Sequence, residues 1–218
     1  MANKASKVSE TVIRRLPIYH RYLTEIIDKD IERISSSELS KLTGFTASQI
    51  RQDLNNFGGF GQQGYGYNAV DLRNQIDKIL GMDHTYNTIV IGAGSLGSAV
   101  AKYNDFRASG FKIQALFDTN TDLIGKSIDD IPILSYDDMK EYIIEHKIDV
   151  GIVTVPKQSA IDVINVLIET SIKGIWNFAP IDIHVPEDSD VIIENIRLND
   201  SLLKLSYYLK ESHLKNEY

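Results

Sequence analysis

A chain of 218 residues has room for one large or two small domains with a real apolar core, and 43% hydrophobic with 24% charged residues is the balance of an ordinary globular protein. Cysteine is absent, which excludes disulfides, thiolate metal ligands and a cysteine nucleophile; no apolar run suits a bilayer and the polar start lacks a signal-peptide core, so the cytoplasm is the expected compartment. The net charge of −7 is uneven: residues 1–67 carry nine Lys/Arg and seven Asp/Glu (+2), residues 68–218 carry 14 and 23 (−9), as a small basic head on an acidic body would.

From Ser9 to Asp28 apolar residues recur at helical spacing (Val12, Ile13, Leu16, Tyr19, Leu23, Ile26, Ile27). Pro17 suits a first helical turn, so the long helix is expected to start near Leu16, with a short one before it. Two helix-start signals follow: Ser35 with Glu38 and Thr46 with Gln49, both read as capping boxes, with Gly44 stopping the first helix. Two short helices around a glycine turn make a helix-turn-helix. The second would bury Ile50 and Leu54 and turn Ala47, Ser48, Gln49, Arg51, Gln52 and Asn55 outward. Such side chains can bond base edges and phosphates in a major groove; a plain αα-hairpin with a solvated face is the other reading. The stretch Gly58–Tyr67 interleaves glycine with aromatics. It reads as a small β-wing with Gln62 and Gln63 at the tip and Tyr65 and Tyr67 at the base, or as a linker, which so many aromatics disfavour. A helix capped by Asn68 comes next, and a polar turn over Gly81–Asn87 places the domain boundary at 84/85, giving domains 1–84 and 85–218.

The second domain opens on Thr88–Val100, TIVIGAGSLGSAV. A β-branched run, then Gly92, Ala93, Gly94, Ser95, Leu96 and Gly97, then a small-residue helix reads as a dinucleotide-binding turn; a purely structural βαβ turn is the alternative. The next strand, FKIQALFD, ends in Asp118, about 20 residues on, where an acid meets the adenosine ribose and opposes a 2′-phosphate. The helix after the glycines is expected to reach Ser109 and stop at Gly110; a loop from Thr119 to Asp130 then leads to a helix near Asp137–His146. Strands are read at Asp149–Val155, Gly174–Phe178 and Val191–Ile196, with a helix over Ile161–Ser171. Strand and helix alternation implies a parallel sheet covered on both faces, and it brings Thr154, Val155 and Pro156, with Asn177 to Pro180, onto the rim that holds the glycine turn. The last helix, about 199–214, is apolar on more than one face, as if packed on a partner subunit or on its own domain.

Together RRLPIYHRYL (Arg14 to Leu23), SSSELSKLTG, SQIRQDLNNFG, GQQGYGYN, IGAGSLG, the FD ending at Asp118, VTVP, KGIWNFAP and the last helix resemble the Rex family of redox-sensing repressors, over nearly the whole chain. The resemblance implies an α/β chain with an N-terminal winged helix-turn-helix, a Rossmann-like domain and a C-terminal helix exchanged in a homodimer. It implies repression at a palindromic DNA operator and release when NADH binds, the NADH/NAD+ ratio being sensed without a metal or a membrane. Carried onto this sequence, Gly92 to Gly97 would cradle the pyrophosphate and Asp118 would hold the ribose. Tyr103, Thr154, Val155, Pro156, Asn177 and Phe178 would lie toward the nicotinamide, and Ser48, Gln49, Arg51, Gln52, Gln62, Gln63 and Tyr65 would meet DNA. Arg15 would couple the two domains. Gln52, Gln62 and Gln63 stand where many members carry basic residues, and Arg197 where many carry an acid, which leaves Asp200 as the candidate partner of Arg15. The competing functions are an NAD-dependent oxidoreductase and a CoA- or nucleotide-binding domain protein. An enzyme needs an acid or base at the nicotinamide, and among the histidines at 20, 84, 146, 184 and 213 only His184 lies near the rim.

Overall fold

The computed structural model describes residues 8–58, 65–103, 105–183 and 189–216, side chains from 213 onward excepted. The chain divides into two compact units, Met1–His84 and Thr85–Tyr218.

In the first unit, α1 (Glu10–Ile13) and α2 (Leu16–Ile27) are separate helices, with Pro17 in the opening turn of α2. The strand β1 (Arg33–Ile34) leads to α3 (Ser36–Thr43), whose start is a complete capping box: Ser35 Oγ accepts the Glu38 N–H, and Glu38 accepts from the Ser35 N–H. Gly44, at φ +77°, ends α3 in the left-handed conformation that lets the chain turn into α4 (Ala47–Asn55). The start of α4 holds only half of the expected box, Thr46 Oγ1 accepting the Gln49 N–H. The strand β2 (Tyr67–Asn68) pairs antiparallel with β1 and runs into α5 (Ala69–Leu80), capped by the Asn68 side chain. Leu16, Tyr19, Leu23, Leu39, Ile50, Leu54, Leu72 and Ile76 interlock as one core, and each buried aliphatic there is worth about 1.5–3 kcal/mol.

The second unit is a seven-stranded sheet ordered β5-β6-β4-β3-β7-β8-β9, parallel except for the β5–β6 hairpin. Its strands are β3 (Tyr86–Ile91), β4 (Phe111–Asp118), β5 (Ser127–Ile128), β6 (Ile131–Ser135), β7 (Val150–Val153), β8 (Gly174–Asn177) and β9 (Ile192–Asn195). Pleat alternation feeds two cores. Ile89, Ile91, Phe117 and Val153 point to one face, where α8 (Met139–Glu145) and α9 (Lys157–Ile168) supply Met139, Ile143, Val163, Ile164 and Leu167; Val90, Leu116 and Ile152 point to the other, beneath α6 (Ser95–Ala101).

Two expectations are corrected. The helix read as continuous to Ser109 breaks after α6 and resumes as α7 (Asp105–Ala108); the break seats Phe106 edge-on against Trp176, 5.2 Å between ring centroids. The segment 119–130 is not all loop: β5 and β6 form a hairpin over Asp129 and Asp130, both at positive φ. Aspartate tolerates that turn less readily than glycine, so the usual hairpin signal is missing from the sequence. The chain closes with α10 (Leu198–Asn216), along which Leu202, Leu203, Leu205, Tyr207, Tyr208 and Leu209 are exposed. Among the described residues no helix is long and apolar enough to cross a membrane.

Candidate nucleotide cleft and nucleic-acid interface

The end of β3 is built for close approach. Gly92 turns the chain at φ +98°, and Gly97 lies so near that turn that a β-carbon would sit 1.8 Å from the Gly92 carbonyl oxygen. Gly94 is different. A β-carbon there would meet nothing within 4 Å, so the missing side chain leaves open space on the cleft side, and a bound pyrophosphate fits that space. The first N–H groups of α6 have no partners inside the helix and face the same way. Thr154, just past β7, binds the turn: its hydroxyl lies 3.0 Å from the Ile91 carbonyl oxygen and 2.9 Å from that of Gly92. Asp118 fixes it from the other side, accepting the Ala93 N–H at 2.6 Å and the Asn120 N–H at 2.8 Å. Around this turn opens a cleft of about 620 Å³ at the carboxyl ends of the strands. It gathers Gly92, Gly94, Leu96, Asp118, Thr154, Val155, Pro156 and Phe178 in one place. Ser95 is exposed at the start of α6 rather than on that lining, and Ala93 and Gly97 are buried beneath it. Pro180 of the expected rim lines it too, as do Thr119, Tyr136, Ser159 and Asp162, which sequence reasoning missed as cleft residues. Among the described residues no group of three His, Asp or Glu side chains is placed to hold a metal ion.

In the first unit α4 buries Ile50 and Leu54 and leaves Ser48, Arg51 and Gln52 exposed, with Gln49 half-buried. Arg51 donates to the Ser36 hydroxyl at 2.8 Å, which holds its guanidinium near the start of α3. Tyr67 is buried at the base of the expected wing; Tyr65 is exposed, and its carbonyl oxygen accepts from Arg33 at 3.0 Å. Gln62 and Gln63 lie outside the described residues. The core side of α4 also carries a charge: Asp53, 2% exposed, takes both arms of the Arg15 guanidinium at 2.6 Å and the Tyr19 hydroxyl at 2.6 Å. Burial first, and then the bond to Asp53, push the Tyr19 hydroxyl well above its ordinary range and keep it a donor. A signal for this existed in the sequence, since Asp53 falls three residues after Ile50, on the apolar face of the helix.

Known proteins match both units. A family model described as "Putative DNA-binding protein N-terminus" matches residues 7–55, and one described as "CoA binding domain" matches residues 83–181. The redox-sensing transcriptional repressor Rex of Thermoanaerobacter pseudethanolicus is 54% identical over 212 residues, 97% of this chain and 94% of that protein. The chain belongs to the Rex family of redox-sensing transcriptional repressors. Two solved structures bear the same likeness, each with a TM-score of 0.89. One is RSP in complex with β-NAD+ and operator DNA, 53% identical over 97% of both chains. The other is RSP in complex with β-NADH, 50% identical over 97% of this chain and 99% of that one.

Set beside the roles that membership in the Rex family suggests, two placements differ. Tyr103 does not line the nucleotide cleft; it is exposed just past α6, its ring 4.8 Å from that of Phe106, and borders a separate hollow with Arg107 and Lys112. The helix break after Ala101 turns it that way. Asn177 is buried off the cleft lining: its amide nitrogen donates to Ile181 and Asn195, its oxygen accepts the Ala179 N–H, and it holds the loop after β8. Within the first unit Arg15 pairs with Asp53, whose buried carboxylate takes both arms of the guanidinium. His20 is paired as well, its Nε2 lying 2.8 Å from Asp77. Arg197, the departure noted in the sequence, donates to the Ala179 carbonyl oxygen at 2.9 Å and pairs with Asp182, so it braces the loop that carries Phe178 and Pro180 into the cleft.

Proposed function

We propose that this chain is a homodimeric repressor whose first unit holds a palindromic operator and whose second unit senses the NADH/NAD+ ratio, letting go of DNA when NADH binds. The observation that carries it is one chain with both a clamped, outward-facing α4 and a cleft kept clear at Gly94. Solved relatives half identical to it are recorded with operator DNA and NAD+ and with NADH.

The glycine turn and Asp118 meet the parts that the oxidised and reduced cofactors share, so they cannot tell the two apart. The apolar end of the cleft can. Val155, Pro156, Phe178 and Pro180 offer no polar group to a charged ring, and they penalise the cationic oxidised nicotinamide by desolvation. The same lining supports sensing over turnover. Those four residues bring no titratable side chain to that end, and the neighbouring Thr154 hydroxyl is committed to the turn beneath it. Transmission to DNA moves the paired recognition helices out of register with successive major grooves. A hundredfold loss of operator affinity needs about 2.7 kcal/mol of coupling, which allosteric proteins commonly deliver. The exposed apolar side chains of α10 are the surface that a second copy covers. A repressor that works on operator DNA belongs in the cytoplasm.

The deciding experiment titrates NADH and NAD+ separately into a protein–operator complex, followed by fluorescence anisotropy. NADH should release the DNA and NAD+ should not; DNA held equally firmly in saturating NADH would refute the proposal. Sustained NADH oxidation with an excess of candidate ketones would favour the oxidoreductase.

A further inference from the structure

The end of the cleft away from Phe178 has no part in telling the oxidised ring from the reduced one. It is formed by Thr119 after β4, Tyr136 after β6, and Ser159, Asp162 and Val163 of α9. Strand order runs β6-β4-β3-β7, so Asp118 stands one strand from the glycine turn and Tyr136 a further strand out. The helix α9 begins after β7, on the other side of β3, yet it reaches across. Burial, and then the nearby Asp162 carboxylate, raise the Tyr136 hydroxyl above its ordinary range. Asp162 and Tyr136 line the one cleft, near enough for the carboxylate to act on the hydroxyl. The two acids differ in one further respect. Both oxygens of Asp118 are held by backbone N–H groups, whereas among the described residues Asp162 has no hydrogen-bond or ion-pair partner.

On the NAD(H) reading, a dinucleotide whose ribose meets Asp118 would have room for its base on the side of the cleft lined by Tyr136 and the buried Val163. We propose that Asp162 reads this base, its carboxylate accepting a hydrogen bond from the exocyclic 6-amino group of adenine. An ionised carboxylate can only accept. Adenine offers a donor at that position, whereas hypoxanthine and guanine offer a carbonyl oxygen that would face the carboxylate lone pair to lone pair. Asp162 is exposed to solvent, and a base seated against it displaces that water, so the wrong base leaves the acceptor opposed without a partner. The inference rests on the NAD(H) reading of the cleft and adds to it a residue that sets base specificity.

The test compares NADH with reduced nicotinamide hypoxanthine dinucleotide, which differs only in the 6-oxo group and the hydrogen it puts on the neighbouring ring nitrogen, by calorimetric titration of the full-length protein. The wild type should bind NADH about tenfold more tightly, the size of one charge-assisted hydrogen bond. Asp162→Ala should weaken NADH and spare the hypoxanthine form, whose retained binding shows that the fold is intact. Asp162→Asn, which can either accept or donate, should narrow the preference to about threefold or less. Equal affinities in the wild type, or an Asp162→Ala that weakens both ligands by one factor, overturn the proposal. A wild type that binds neither ligand overturns the NAD(H) reading itself, and this inference with it.

Discussion

Gly94 and Gly97 stand three residues apart in one motif and meet opposite constraints. A side chain at Gly94 would point into open space with the backbone at φ −67°, which any residue adopts, whereas one at Gly97 would strike the Gly92 carbonyl. Gly94→Val should therefore leave the melting temperature nearly unchanged while abolishing NADH binding and sparing operator binding. Gly97→Ala should lower stability by about 1–3 kcal/mol, the usual cost of overpacking, and lose NADH as well. Calorimetric melting beside a binding titration separates the two, and a folded Gly97→Ala that binds NADH normally would contradict the steric argument. In the other unit, Asp53→Ala leaves the guanidinium of Arg15 inside without its partner. The expected cost is about 3–5 kcal/mol in urea unfolding, with operator affinity falling and NADH affinity unchanged. Tyr19 adds a dependence on pH. Its folded value lies above the ordinary value of 10.0, so the folded protein keeps a proton that the unfolded chain gives up. That contribution is whole below pH 10 and is lost as the pH rises further, at up to about 1.4 kcal/mol per pH unit. Tyr19→Phe should flatten the alkaline limb of the stability curve, and an unchanged limb would dismiss the effect.

The elements that could be read from the chain are those whose causes are local. Ser35, Glu38 and Gly44 announce α3, and the β-branched run before Gly92 announces β3, because capping and pleating act over a few residues. The hairpin of β5 and β6 escaped because Asp129 and Asp130 fill a turn where glycine or asparagine is the usual marker. Asp53, Tyr136 and Asp162 escaped for another reason. What they act on is distant in sequence: Asp53 meets Arg15 across 38 residues, and Asp162 shares a cleft with Tyr136 only once the fold has brought α9 and the end of β6 to one side of the sheet. The outward face of α4 was legible, and its function is testable at the same scale. Arg51→Ala should weaken operator binding by about 1–3 kcal/mol in a gel-shift titration and leave NADH affinity as it was. It also frees the Ser36 hydroxyl, so Ser36→Ala is the control; if that variant alone matches the loss, Arg51 only braces α3.

At the scale of the whole molecule, α10 leaves Leu202, Leu203, Leu205, Tyr207, Tyr208 and Leu209 more than half exposed in the single chain, too much apolar surface for a helix meant to face water. Ending the chain at Arg197 should give monomers in sedimentation, with operator binding lost because a lone head spans only half of a palindrome. A truncate that stays dimeric would place the subunit contact elsewhere. The bond from the Ala93 N–H to Asp118 has a wider consequence. The carboxylate that would greet the ribose is also the strut under the phosphate turn. A lineage drifting toward the phosphorylated dinucleotide would have to discard this acid, and with it the brace on its own binding loop. Two simultaneous changes would be required where one is usually enough, so the fold resists being retuned from one cellular currency to the other.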